Sequence, residues 1–260
     1  MTVIAPGRDV VPGPSRVVAG LRRTAQPRLR LICFPHVGAG AAAFRPWTEH
    51  LPPEVELYAI RLPGRENRVA EPLITNGHAL FEHLQPELQP LLDVPFVIIG
   101  HCSGSVLAYE YTRILNAASG PAPVELVLSS AEGPGCREVE DPPLHRLPKE
   151  MLLDRVIAYG GMAPKVLEDP GLMSMYERIL RADYQIVETI TYSPGPPLDL
   201  PITVLGGARD EFVSRDAMGS WRAETTSRFT LQLLDGPHYV LAEAGAEIGL
   251  IAERLTGGGA

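Results

Sequence analysis

The stretch "VIIGHCSGSVLAYEY", residues 97–111, decides how the rest of the chain is interpreted. A short apolar run ends at Gly100, and a helix-like run begins shortly after it. The pattern G-x-S-x-G is typical of a sharp strand-to-helix turn that presents a serine nucleophile. Here Gly100 and Gly104 frame the turn, but its middle position is Cys102, and Ser103 comes one residue too late. The sequence therefore predicts either an inactive turn or a site that uses a thiol.

Composition limits the kinds of protein that this chain can be. A length of 260 residues fits one large α/β domain or two small ones. The formal net charge of -8 does not suggest nucleic acid or an anionic membrane as a partner, and no apolar run is long enough to span a bilayer. The three cysteines, Cys33, Cys102 and Cys136, have no C-x-x-C spacing. We therefore expect neither a disulfide framework nor a metal or cofactor site, and we expect a reducing cytoplasm as the location.

Apolar strand-like runs alternate with helix-like runs through most of the chain. The predicted strands are 29–34, 55–61, 96–100, 124–130, 202–206 and 229–234. The predicted helices lie near 44–51, 76–92, 104–117 and 240–255. Several of the strands are apolar nearly throughout, as expected for strands that are buried on both faces. The alternation predicts an α/β fold with a mostly parallel central sheet and helices on both sides.

Some segments depart from this alternation. Residues 1–28 contain many Pro, Gly and Arg residues and are predicted to be a loose leader, and residues 256–260 a flexible tail. Residues 138–195 contain no convincing strand and are predicted to form helices, broken at Gly160-Gly161. Their apolar stripe has one polar interruption, Asp183. They are either a helical decoration or a lid over a site at the strand ends, and their position between strands favours a lid. We call them the lid segment.

A nucleophile of this kind needs a histidine base and a carboxylate that orients the histidine. In α/β-hydrolases these groups follow the chain order nucleophile, acid, histidine. Asp210 follows the strand 202–206, with Glu211 as its rival, and His238 follows the last predicted strand. Cys102 is the candidate nucleophile, because amides at a helix N-terminus favour a thiolate; the alternative is a small buried apolar residue. The other histidines are weaker candidates: His36, which could line the pocket, His101, predicted to pack beneath the turn, and His50, His78, His83 and His145.

An oxyanion hole would complete such a site. One amide is expected from Ser103, the residue after the nucleophile, and the other from the loop that follows the first core strand. That loop reads "CFPHVGAG", and Val37 stands where the donor is expected. An ordinary glycine-rich turn is the alternative interpretation. A phosphate-binding loop is disfavoured, because neither of its usual glycine patterns fits.

Six ordered motifs resemble those of the type II thioesterases that accompany modular polyketide and nonribosomal peptide synthases. These motifs are "CFPHVGAG", "RLPGRE", "GHCSGS", "LRADYQIVETITY", "GGARDEFV" and "DGPHYVL". The resemblance implies an α/β-hydrolase fold over residues 29–255 with a flexible helical lid. It also implies acyl thioester substrates carried on the phosphopantetheine arm of an acyl carrier or peptidyl carrier protein. The family usually has serine at the position of Cys102, and its usual task is to hydrolyse stalled or wrong acyl groups off the carrier.

The thiol leaves three functions open. Attack by Cys102 on a carrier thioester makes another thioester, so the acyl group stays activated. Water can then release the acid, as in an editing thioesterase, which is the favoured interpretation. A second thiol or an amine could instead take the acyl group, as in an acyl shuttle. A carrier-binding protein with a degenerate site is the least favoured, because Asp210 and His238 remain in order.

Overall fold

The central sheet has seven strands in the order β1-β3-β2-β4-β5-β6-β7. In this computed structural model, which describes residues 15–160, 166 and 168–257, the strands are β1 Val18–Arg22, β2 Leu29–Phe34, β3 Val55–Ile60, β4 Phe96–His101, β5 Glu125–Ser129, β6 Ile202–Gly207 and β7 Phe229–Leu234. Among the strands of the described residues, β1 alone runs antiparallel to its neighbour, and the other pairs are parallel. The prediction of a mostly parallel sheet is confirmed. The carboxyl ends of the parallel strands meet at one edge, where the candidate residues lie.

Strands β2 to β6 are buried along their whole length, because helices cover both faces of the sheet. The α-helices are α1 Gly77–Leu88, α2 Ser103–Ala117, α3 Lys149–Ala158, α4 Pro170–Thr189, α5 Arg215–Gly219 and α6 Gly245–Thr256. Short 3-10 helices span Ala41–Glu49, Glu66–Arg68, Gln89–Leu91, Leu144–Arg146, Ser220–Glu224 and Val240–Ala242. Apolar side chains of α1, α2 and α4 form one core layer. Those of α6 and of the first 3-10 helix form the other.

The prediction that residues 1–28 form a loose leader is wrong for residues 18–22. Residues 18–22 form β1, which pairs antiparallel with β3, for example Val18 with Ile60. A short edge strand of this kind is stabilised mainly by backbone pairing with a distant strand, so local periodicity gives little sign of it. Residues 1–14 lie outside the described residues. The predicted tail also begins one residue too early, because Thr256 is buried at the end of α6, and residues 258–260 lie outside the described residues.

Where the structure describes it, in 138–160, 166 and 168–195, the lid segment contains no strand; its main helices are the 3-10 helix Leu144–Arg146, α3 and α4, joined and flanked by irregular stretches. Its two long helices, α3 and α4, bury a small apolar cluster of their own. The carboxyl-terminal part of α4 instead joins the main core through Ile186 and Val187. In the described part of the chain, no helix is long and apolar enough to cross a bilayer.

Asp183, the polar interruption in the α4 stripe, is a buried tie between the lid segment and the core. Its carboxylate accepts two hydrogen bonds from the Arg65 guanidinium, at 2.7 and 2.6 Å, and one from the Gly38 amide, at 2.8 Å. Arg137 adds hydrogen bonds to the carbonyl oxygens of Val187 and Ile190. The carboxyl-terminal half of α4 is therefore fastened to the edge of the sheet where the candidate residues lie, while α3 makes no comparable tie to the described residues of the core.

We expect hydrogen exchange to divide the lid segment into two parts. Amides of α3 and of the first half of α4 should exchange faster than those of β4, because lids belong to the less stable parts of a fold. Amides after Asp183 should exchange slowly in the wild type and faster in Asp183→Asn. Asp154→Asn, at an exposed position on α3, is the matched control and should change little. Exchange in α3 as slow as in β4 would contradict a moving lid.

Candidate active site

Cys102 occupies a tight turn between β4 and α2. Its backbone has φ of 50° and ψ of -123°, a conformation that costs energy for a residue with a side chain. A Cβ at Gly100 would meet the Gly104 carbonyl oxygen, and one at Gly104 would meet the Phe34 carbonyl oxygen, both far inside van der Waals contact. Both flanking residues must therefore be glycine for helix and strand to approach so closely. The predicted turn is present, and it places the thiol in a cavity.

Asp210 and His238 meet beside this turn. The distance between His238 Nδ1 and Asp210 Oδ2 is 2.9 Å, and both side chains are almost completely buried. The other carboxylate oxygen of Asp210 accepts hydrogen bonds from the amides of Phe212 and Val213. Glu211, the rival acid, is exposed. Asp210 is therefore the carboxylate placed to orient His238.

The surroundings of His238 favour its protonated form. Burial alone would lower its pKa, but hydrogen bonding to Asp210 and interaction with the Cys102 sulfur outweigh burial and raise the pKa to about 10. Burial would raise the pKa of Asp210, but the hydrogen bonds from His238 and from the Phe212 amide lower it. His238 Nε2 is buried and makes no regular hydrogen bond within the described residues. Cys102, which lies within interaction range of the ring, is the natural partner of that nitrogen.

The predicted oxyanion residues lie together, but with an arrangement that the sequence does not reveal. Val37 and Ser103 both line the cavity that contains Cys102. The Val37 amide donates a hydrogen bond of 2.8 Å to the Ser103 hydroxyl oxygen. The Ser103 hydroxyl is thus bonded to an amide donor rather than to a base.

The two histidines nearest to this site are not rivals of His238. His101 is buried beneath the turn, as predicted, with its ring 5.3 Å from that of His36. His36 lies behind the main cavity, against His101 and Tyr239, so it does not line the pocket as suggested. Burial lowers the pKa of His101, and burial with the nearby charges of His238 and Arg65 lowers that of His36 to about 4. Both rings are therefore neutral at physiological pH.

The cavity beside Cys102 has a volume of about 230 Å³. Its walls come from the core and from the lid segment: Val37, Ser103, Val106, Ser130, Ala131, Glu132, Arg137, Glu138, Val139, Glu140, Leu144, Tyr159, Tyr184, Val187, Glu188, Phe212, Val213, His238 and Tyr239. Tyr159 of the lid segment lies with its ring 5.5 Å from the His238 ring. Val37, Ser103 and His238 are predicted from the sequence, but the other wall residues are not; Tyr159, just before Gly160-Gly161, is the one with a local signal in the sequence. Among the described residues, no cluster of His, Cys, Asp or Glu is arranged to hold a metal ion.

The α/β-hydrolase class is defined by a mostly parallel sheet, a nucleophile turn after a central strand, and an acid and a histidine that follow later strands. The profile of the thioesterase domain matches residues 29–255. The chain belongs to the thioesterase domain family, which makes it a thioester hydrolase and confirms the resemblance that the six motifs indicate.

Relatives of known pathway support this assignment. The chain is 34% identical over 223 residues to the gramicidin S biosynthesis protein GrsT of Aneurinibacillus migulanus, covering 85% of this chain and 86% of that protein. It is 31% identical over 221 residues to thioesterase PikA5 of Streptomyces venezuelae, covering 85% and 78%. The solved structure of BorB, the type II thioesterase of the borrelidin biosynthetic cluster, superimposes with a TM-score of 0.82 at 31% identity, covering 92% and 97%.

Proposed function

We propose that this protein hydrolyses acyl groups from the phosphopantetheine arms of carrier proteins, as an editing thioesterase of a polyketide or nonribosomal peptide assembly line. The observation that carries the proposal is the short, buried hydrogen bond between Asp210 and His238 beside the Cys102 turn. The relatives support the pathway, since BorB is a type II thioesterase of a biosynthetic cluster. Cys102, His238 and Asp210 are proposed as nucleophile, base and orienting acid.

Acylation begins with transfer of the Cys102 proton to His238, which leaves an imidazolium beside a thiolate. The surroundings that raise the pKa of His238 to about 10 favour the protonated ring in this step. The thiolate attacks the thioester carbonyl, and a tetrahedral oxyanion forms. When the intermediate collapses, the bond to the phosphopantetheine sulfur breaks, and that sulfur leaves with the proton of His238. The products are acyl-Cys102 and a free carrier thiol.

Deacylation uses the same histidine in a different charge state. Once Cys102 is acylated, its negative charge no longer raises the pKa of His238, so the ring becomes a better base. Neutral His238 takes a proton from water, the hydroxide adds to the acyl carbon, and the Cys102 sulfur leaves as thiolate. Asp210 holds the ring in the required tautomer through both steps.

The thiol itself favours one alternative function. An acyl-Cys102 thioester keeps the acyl group activated, which suits transfer to a second carrier thiol or to an amine. Editing and transfer share the acylation step and diverge only when His238 activates water or admits an acceptor. We favour hydrolysis, because the chain belongs to the thioesterase domain family and its relatives PikA5 and BorB are thioesterases.

Single-turnover kinetics with acyl-carrier proteins test the proposal. We expect free acid without any added acceptor, and intact-mass spectra that show no acyl-enzyme surviving for minutes. The same acyl group on free pantetheine should react more slowly, because it lacks the carrier contacts. Cys102→Ala is the control for non-enzymatic release. A long-lived adduct on Cys102 that is discharged only by a second carrier or an amine would instead establish the shuttle.

A further inference from the structure

The hydrogen bond between Val37 and Ser103 changes the composition of the oxyanion hole. The Val37 N–H donates to the Ser103 hydroxyl oxygen at 2.8 Å, so this amide is not free to bind a substrate oxygen directly. The hydroxyl is half-buried and borders the same cavity as Cys102. Ser103 is also the first residue of α2 and directly follows Cys102 in the chain. The loop and the helix therefore present one joined polar group to the cavity.

The Ser103 hydroxyl still has a proton to give. A hydroxyl carries one donor and two acceptor lone pairs, and the Val37 amide uses only an acceptor. Within the described residues, no acceptor receives the Ser103 proton. Accepting a hydrogen bond also polarises the hydroxyl and strengthens the bond that it donates in turn. An unused, polarised donor beside the nucleophile is a group suited to bind developing negative charge.

We propose that the Ser103 hydroxyl is a catalytic oxyanion donor that passes on the polarisation of the Val37 amide. This inference rests on the proposed function and adds one residue to its mechanism. When the Cys102 thiolate adds to the thioester carbon, the π electrons of the carbonyl move to oxygen. The Ser103 O–H donates a hydrogen bond to that oxygen together with the Ser103 amide. The hydroxyl keeps its proton throughout, and the electrons return to the carbonyl when the carrier sulfur leaves.

The geometry argues against the two other roles for Ser103. As a nucleophile it would need its oxygen beside a base, but that oxygen is bonded to an N–H, and the base interacts with Cys102. If the Ser103 hydroxyl only occupied the place of the substrate oxygen, as a plug of the oxyanion hole, it would have to move away before catalysis. Its removal would then speed the reaction. A donor and a plug therefore predict opposite effects of the same substitution.

The test compares Ser103→Ala with Ser103→Thr, which keeps a hydroxyl. In single-turnover acylation by an acyl-carrier protein, the alanine variant should be slower by about 10²-fold, with little change in KM. The threonine variant should recover most of this loss. An aldehyde analogue of the acyl group forms a hemithioacetal with Cys102 and places its oxygen in the hole. Its affinity should fall in the alanine variant by a factor similar to that of the rate.

Three outcomes would overturn the inference. They are unchanged or faster acylation by Ser103→Ala, equal losses in both variants, and a rate loss without a loss of aldehyde affinity. Thermal unfolding of each variant identifies a loss that is caused by misfolding, and the threonine variant then decides the question. If the wild-type enzyme releases no acid from any acyl-carrier, the proposed function fails instead, so the two failures are distinguishable.

Discussion

Replacing Cys102 with alanine should reduce turnover of acyl-carriers by at least about 10³-fold, because loss of a triad nucleophile removes the covalent path. Cys102→Ser should keep the fold and some activity, since serine is nearly the same size and is the usual nucleophile of this turn. Steady-state kinetics with one acyl-carrier, combined with mass spectrometry of trapped acyl-enzyme, measures both effects. The serine variant should carry its acyl group as an oxygen ester.

The other cysteines provide internal controls. Cys136 is exposed, and Cys33 is buried in the core with a pKa raised well above its usual value by burial. Cys136→Ala should leave turnover unchanged, so a thiol reagent applied to that variant reports mainly on Cys102. Hydrolysis near the wild-type rate by Cys102→Ala would refute the assignment of the nucleophile.

Asp210→Asn should lower kcat by about 10²-fold or more, because an amide can hold His238 in the wrong tautomer. Its cost in unfolding free energy should be about 1–3 kcal/mol, the usual range for a lost buried hydrogen-bond partner. The rate effect then exceeds what the change in stability explains. Parallel measurements of kcat and of urea unfolding separate the two.

The pH dependence of kcat/KM provides a second measurement on Asp210→Asn. Asp210 helps to raise the pKa of His238 to about 10, so the wild-type kcat/KM should fall on the alkaline side only as the pH approaches 10. Without the carboxylate the pKa of the ring decreases, and the alkaline fall should move to lower pH. Glu211→Gln is the matched control and should leave both rate and pH profile unchanged. If that control is the damaging substitution, the acid has been misplaced by one residue.

The predictable part of this molecule is the part that follows from local rules. Buried parallel strands must be apolar on both faces, and a strand that meets a helix this closely must have glycines around the nucleophile. These requirements are visible in the sequence as apolar runs and as Gly100 and Gly104. Asp210 and His238 are recognisable because each stands just past a strand. Their mutual hydrogen bond confirms the expected juxtaposition, although their roles in catalysis stay a prediction.

The features that the sequence does not reveal depend on distant pairs. β1 is a strand because it finds the edge of β3. Asp183 was only an interruption in an apolar stripe until Arg65, 118 residues away, became its partner. The Ser103 hydroxyl meets the Val37 amide across 66 residues. The chemistry of a side chain defines which hydrogen bonds and ion pairs it can form, but the fold determines which partner lies within reach.

The buried interactions of Asp183 couple the position of α4 in the lid segment to the loop that contains Val37. Its carboxylate holds the Gly38 amide, and Gly38 directly follows Val37 in the loop. An outward movement of the whole of α4 would break the hydrogen bond between Asp183 and the Gly38 amide and would release the loop that contains Val37. We therefore expect the carboxyl-terminal half of α4 to stay in place during the reaction. The part of the lid segment that lacks this tie is α3 with the first half of α4. We therefore expect the substrate to enter from that side. We expect an opening limited to that side to restrict the size of the acyl group that can reach Cys102.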